Sequence, residues 1–250
     1  MLESIPREGE ISIPTSEPTR HKQERNPSQP MKTPEPMPPE SNNTEPLLTG
    51  VDLECYRGDR LLFRGLDLVL HPGEILRIHG PNGSGKTSLL RILCGLTLPT
   101  TGEVHWRGES IAKDAGRFLS EITYIGHHNG IKLELSPLEN LEVICSLAGR
   151  STSMDPETAL ARFDLGGFEN APGYALSAGQ RRRVALARLL MGHTHCWILD
   201  EPFTALDKVG IAVMESLLQG HAQSGGATIL TTHQPLGIAA HSIREIHLGP

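Results

Sequence analysis

The eight residues Gly80-Pro81-Asn82-Gly83-Ser84-Gly85-Lys86-Thr87 restrict what this chain can fold into more than any other stretch. They follow the pattern G-x-x-x-x-G-K-[ST], and the flanking residues give the pattern its meaning. Residues 74–79 form a short, largely apolar run that stops at Gly80, as a buried strand would. Residues 88–96 place apolar side chains at 89, 90, 92, 93 and 96, a helical spacing, with Gly95 as the stop signal. A strand, a glycine-rich loop and a helix N-terminus in that order make an anion cradle. The glycines let successive N–H groups converge on one anion, and the helix dipole adds positive charge at the same place. Lys86 is then placed to reach β- and γ-phosphates, and the Thr87 hydroxyl to ligate Mg²⁺. Gly80, Pro81, Asn82, Gly83, Ser84, Gly85, Lys86, Thr87 and Ser88 are therefore the candidate triphosphate-binding residues.

A second constellation lies downstream. Cys196-Trp197-Ile198-Leu199 reads as a buried parallel strand, and it runs into Asp200-Glu201-Pro202. Carboxylates at the C-terminal end of such a strand lie where α/β sheets bind ligands. Asp200 is suited to hold Mg²⁺ through its water shell, and Glu201 to take a proton from an attacking water. Residues 227–232 form one more buried strand, ending at His233, which faces the same edge. Between these motifs and the loop comes Leu176-Ser177-Ala178-Gly179-Gln180, followed by an Arg-rich helical run. Ser177 is placed to cap that helix, whose free N–H groups again make an anion site.

The rest of the chain supplies context. With nine prolines between 14 and 46, residues 1–47 read as a disordered or extended tail. Residues 51–55 and 66–70 alternate in polarity around the turn 57–60, which predicts a small sheet before the loop, and 103–106 and 122–125 read as further strands. Tyr56 is placed either to stack on an adenine ring or simply to pack. His127 and His128 are neighbours and cannot share a face, and no Cys, Asp or Glu stands beside them at ligand spacing, which argues against a metal site. Residues 132–175 lose β character, with helix starts at Ser136-Pro137 and Asp155-Pro156, and read as a helical insertion in an α/β core. The net charge of −6 argues against a dedicated nucleic-acid binder. Four scattered cysteines fit a reducing compartment, and without a membrane-length apolar run the chain reads as soluble or held at a membrane through partners.

GPNGSGKT at 80–87, LSAGQ at 176–180, ILDEP at 198–202 and TTH at 231–233, in that order, resemble the ATP-binding cassette family, and Ala205-Leu206-Asp207 matches the loop after its second carboxylate. The resemblance spans about 51–248. It implies a P-loop NTPase α/β domain over 48–250, with an antiparallel β subdomain and a helical signature subdomain at about 132–178. It further implies that two copies pair head to tail around ATP. Ser177, Gly179 and Gln180 would then act on nucleotide held by the partner copy, with Glu201 beside the attacking water and His233 near the γ-phosphate. His127 and Asp207 fall in the family's coupling loops, and Thr87 and Asp200 at its Mg²⁺ site. Residues 124–132, 138–141, 197–205 and 230–236 look like the cytochrome c maturation ATPases, the cassettes of a haem exporter. That narrower resemblance implies permease partners of the maturation system and a peripheral place on the cytoplasmic face of the bacterial inner membrane. Haem enters only this way, since the CxxCH attachment pattern is absent.

Two departures stand out. His127 replaces the glutamine of most cassettes, although His is usual in the maturation subfamily. Ala178 replaces the first glycine of the signature, which is tolerable if its φ stays negative. A cassette for another cargo is the alternative. A ribosome- or DNA-acting cassette would bring a second motif set or heptads, and a non-hydrolysing module would have lost Lys86, Asp200, Glu201 or His233.

Overall fold

A computed structural model describes residues 45–148, 154–239 and 242–249. Residues 1–44, most of the expected tail, lie outside the described residues.

Two sheets carry the fold. The first is antiparallel, in the order β2-β1-β4-β5: β1 (Leu48–Arg57), β2 (Arg60–Leu70), β4 (Thr101–Trp106) and β5 (Glu109–Ser110). The expected turn is the tip of the β1–β2 hairpin, where Arg57 pairs with Arg60. Register shifts between Leu53 and Cys55, and again between Cys55 and Tyr56, twist β1 and break its strict alternation.

The second sheet is parallel, in the order β6-β7-β8-β3-β9: β3 (Ile75–His79), β6 (Ile122–Ile125), β7 (Cys196–Asp200), β8 (Ala227–Thr231) and β9 (Ile243–His247). Every residue of β7 and β8 is buried, as continuous apolar runs covered on both faces should be. Helix α1 (Lys86–Leu93) buries Leu89, Leu90, Ile92 and Leu93, each contributing about 1.5–3 kcal/mol. These side chains share one core with the antiparallel sheet, which fixes the glycine-rich loop between the two sheets.

Between β6 and β7 the chain leaves the sheet, as the insertion reading expects. Helix α3 (Pro137–Ala148) starts at a capping box in which Ser136 and Glu139 exchange hydrogen bonds of 3.2 and 2.7 Å. The side chain of Asp155 caps α4 (Pro156–Arg162), as the Asp-Pro pattern predicts. Buried Asn140 ties the entry loop to α3 through Lys132, Leu135 and Ser136. Helix α5 (Ala178–Ala187) then returns the chain to the core. Helix α2 (Ala115–Glu121), helix α6 (Lys208–Gln223) and strand β9 complete the domain and were not among the elements read from the sequence.

Candidate nucleotide-hydrolysis site

Because β3, β7 and β8 are parallel neighbours, their C-terminal ends share one edge; Asp200 and Ile78 both register with Thr231. The chemistry gathers there. A cleft of about 560 Å³ is lined by Asn82, Gly83, Gly85, Lys86, Thr87 and Ser88 on one side and by Asp200, Glu201 and His233 on the other, with His127 at the same opening.

The loop is shaped by glycine where nothing else fits. Gly85 caps α1 at φ 102°, and a Cβ there would lie 3.0 Å from Leu62 and 3.2 Å from the Phe63 ring. At Gly80, at φ 153°, a Cβ would collide with the carbonyl oxygen of Leu248. Lys86 Nζ donates to the carbonyl oxygens of Gly80 at 2.7 Å and Pro81 at 3.1 Å, which folds the ammonium group over the loop. The Ser84 hydroxyl is buried without a partner.

Asp200 is buried, and both its carboxylate oxygens are held. Thr87 Oγ1 donates to Oδ2 at 2.8 Å, and Thr231 Oγ1 donates to Oδ1 at 2.8 Å. The Thr87 hydroxyl and the Asp200 carboxylate form an all-oxygen donor pair of the kind a hard divalent cation accepts. Glu201, the next residue, stands at φ 49°, a left-handed conformation that costs a non-glycine residue of order 1 kcal/mol. Its N–H donates to Thr231 Oγ1 at 2.9 Å, and its Oε1 lies 3.5 Å from His233 Nε2. Among the described residues no three His, Cys, Asp or Glu side chains form a metal cluster, and His127 and His128 meet only edge to face at 5.8 Å.

Other expected residues stand apart. Ser177, Gly179 and Gln180 do not line the cleft. Ser177 accepts from Gln180 N at 3.1 Å and donates its own N–H to Gln180 Oε1 at 2.9 Å, a complete capping box on α5. The serine hydroxyl proton is not used in that box. Ala178 lies inside α5, so its φ is helical and the substituted signature keeps its shape. A Cβ on Gly179 would come within 2.7 Å of Ala205 O, so the signature loop packs directly on the loop after Glu201. Asp207 caps α6 by accepting from Gly210 N at 2.8 Å and pairs with Arg183 at 3.4 Å. Tyr56 is absent from the cleft. Its hydroxyl accepts from Arg64 at 2.7 Å, Arg64 also pairs with Glu54, and the ring stays exposed at the surface.

Arg57, Arg60, Leu62, Thr204 and Gln234 also line the cleft and were not read from the sequence. The two arginines flank the predicted hairpin turn, and a cation at each end of a turn beside a phosphate loop was the available signal. Thr231, within TTH, and Arg182, within the Arg-rich run, stood in motifs whose contacts the sequence did not show, because each acts on groups far away in sequence.

The family model described as ABC transporter matches residues 63–204. The chain belongs to the ABC transporter family, as an ATP-binding and ATP-hydrolysing cassette. It is 52% identical over 187 residues to the cytochrome c biogenesis ATP-binding export protein CcmA of Methylococcus capsulatus, covering 74% of this chain and 90% of the relative. It is 46% identical over 204 residues to the protein of the same name from Nitrosospira multiformis, covering 81% and 99%. Among solved structures, a dimeric bacterial ABC transporter cassette matches with a TM-score of 0.67 at 25% identity over 80% of this chain and 94% of that one. A putative ABC transporter ATP-binding protein from Pyrococcus furiosus, at 24% identity and a TM-score of 0.66, shares the fold over 80% and 96%.

Proposed function

We propose that this cassette is the ATPase motor of a membrane transporter serving cytochrome c maturation, with haem as the species handled. It works as a head-to-tail pair bound to permease subunits at the cytoplasmic face of a bacterial inner membrane. The observation that carries the ATPase reading is the cleft that unites Lys86, Thr87, Asp200, Glu201 and His233 while leaving Ser177 outside it. A single copy thus holds a triphosphate cradle and a base but lacks the donor that the signature supplies. The identity to the CcmA relatives supports the narrower assignment. Among the described residues no helix is long and apolar enough to cross a membrane, which is consistent with attachment through partners.

On ATP binding, Lys86 exchanges the Gly80 and Pro81 carbonyls for β- and γ-phosphate oxygens. Thr87 and Asp200 would hold Mg²⁺, which neutralises charge on those phosphates when bound. Glu201 Oε accepts a proton from water as the water oxygen bonds to the γ-phosphorus. The bond from that phosphorus to the bridging oxygen breaks, leaving ADP and phosphate. His233, close to Glu201 Oε1, orients that carboxylate and the γ-phosphate. The partner's α5 N-terminus closes the other side, where the Ser177 hydroxyl donates to the triphosphate.

Glu201→Gln tests the chemistry: ATP binds, the copies pair, and turnover falls at least about 100-fold. Hydrolysis at the parental rate, measured beside ATP-dependent pairing by light scattering, refutes the role of Glu201. Co-purification of the full chain with cytochrome c maturation permeases tests the cargo assignment, and recovery with the permeases of an unrelated uptake system rejects it.

A further inference from the structure

Arg182, on α5, is only 3% exposed, yet its guanidinium pairs with neutral oxygens alone among its recorded acceptors. Nη2 donates to the backbone oxygens of Asp200 at 2.9 Å and Glu201 at 2.8 Å. Nη1 donates to Gly126 O at 2.9 Å and Asn129 Oδ1 at 3.3 Å, and Nε to Pro202 O at 3.4 Å. Burial lowers the tendency of this group to stay charged, and the nearby Asp200 and Glu201 charges oppose that. Five donations from one buried fork are a large share of its hydrogen-bonding capacity, and they converge on two loops far apart in sequence.

The two loops are the ones that matter for turnover. Residues 126–129 carry His127, which opens on the cleft. Residues 200–202 carry Glu201, whose left-handed backbone needs holding on both sides. Thr231 holds its N–H, and Arg182 holds its carbonyl. We infer that Arg182 is a positioning residue for hydrolysis: it bolts the backbone of Glu201 to the 126–129 loop, so the carboxylate is aimed at water only while that loop is docked. Displacement of the loop would release Gly126 and Asn129 from the fork, and the remaining donations would no longer fix the Glu201 peptide in one orientation. The inference rests on the reading of Glu201 as the proton acceptor. It adds an intrasubunit route by which the state of the His127 loop sets the rate.

The test uses the full-length chain, with kcat, KM, the affinity for a fluorescent ATP analogue and Tm measured for each variant. In Arg182→Lys the charge remains but the fork is lost. Its kcat should fall about 100-fold, as a misplacement of about 1 Å at a reacting group allows. KM and analogue affinity should stay within about twofold of the parent, the split expected when only transition-state positioning is lost. Asn129→Ala, at a half-buried site with the fold intact, should lower kcat about threefold alone and add nothing in the Arg182→Lys background, since its partner is already gone. Parental kcat in Arg182→Lys, parallel losses of binding and turnover, or additive effects of the two substitutions overturn the inference. Glu201→Gln in the same assay separates the failures. Parental hydrolysis there removes the reading of Glu201 itself, whereas an inactive Glu201→Gln beside a fully active Arg182→Lys removes only the role of Arg182.

Discussion

Thr231 shows how one small side chain can hold two neighbouring acids. Fully buried, its hydroxyl donates to Asp200 and accepts from the Glu201 N–H, so both acids depend on a single oxygen atom. Thr231→Val keeps the shape and removes the oxygen. Stability should fall by about 1–3 kcal/mol, the cost of a buried N–H left unsatisfied, and kcat should fall more than KM rises. Thr231→Ser should restore both, as read by denaturant melts and steady-state hydrolysis. Residues such as Asp200 and Glu201 were legible because a carboxylate ending an apolar run is a pattern along the chain. The contacts of Thr231 and Arg182 were not, because their partners lie 31 and 19 positions from them, across strands and helices. Tyr56 stands exposed beside the β1–β2 turn, and the register shifts that set where such a side chain projects come from pairing with β2 and leave no pattern along the chain.

The N-terminus of α5 has two duties that mutation can separate. Its capping box is internal, with Ser177 and Gln180 as partners, while the proposed work on nucleotide belongs to the second copy. Ser177→Ala should cost about 1 kcal/mol of stability and most of the hydrolysis. Ser177→Asp should recover the stability, since Asp caps as well, yet leave hydrolysis low, because a carboxylate would face the triphosphate. Melting and ATPase assays on the same preparations decide this, and active Ser177→Asp enzyme would mean the signature does not meet phosphate. Elements with a motif or a cap were readable: the glycine loop, the strands β7 and β8, and the Ser-Pro and Asp-Pro starts of α3 and α4. The missed helices α2 and α6 do have caps, Asp114 and Asp207, but no proline follows either to mark the start. Helix α2 has seven residues and buries one side chain, Phe118, too little to show a period. Strand β9 carries its isoleucines three positions apart, at 243 and 246, and among the described residues pairs only with β3, so neither a strand nor a helix pattern emerges from it.

At the scale of the molecule, the parallel sheet separates chemistry from support. Every proposed catalytic group lies at the C-terminal edge, and the opposite edge holds packing contacts beside a cavity. There the His221 ring of α6 stacks on Trp197 of β7 with centroids 3.8 Å apart and planes 1° from parallel. Burial is the main cause that lowers the His221 pKa from 6.5 to about 4; the nearby His195 also lowers it, and a backbone hydrogen bond with Ala227 opposes the shift. His193, His195 and Arg162 line the adjoining cavity. In the folded chain His221 stays neutral where the unfolded chain already takes up a proton. The contribution of this histidine is therefore complete above about 6.5 and drains away as pH falls toward about 4. Discounted for the partial openness of the site, the loss is on the order of 1–2 kcal/mol. His221→Phe keeps a ring on Trp197 and cannot titrate. Its Tm should match the parent near neutrality and decline less steeply through that acid window, and an unchanged slope would place the acid sensitivity elsewhere. Because this edge is remote from Glu201 and Lys86, the same substitution should leave the KM for ATP at its parental value, a second reading that ties the effect to the scaffold rather than to the cleft.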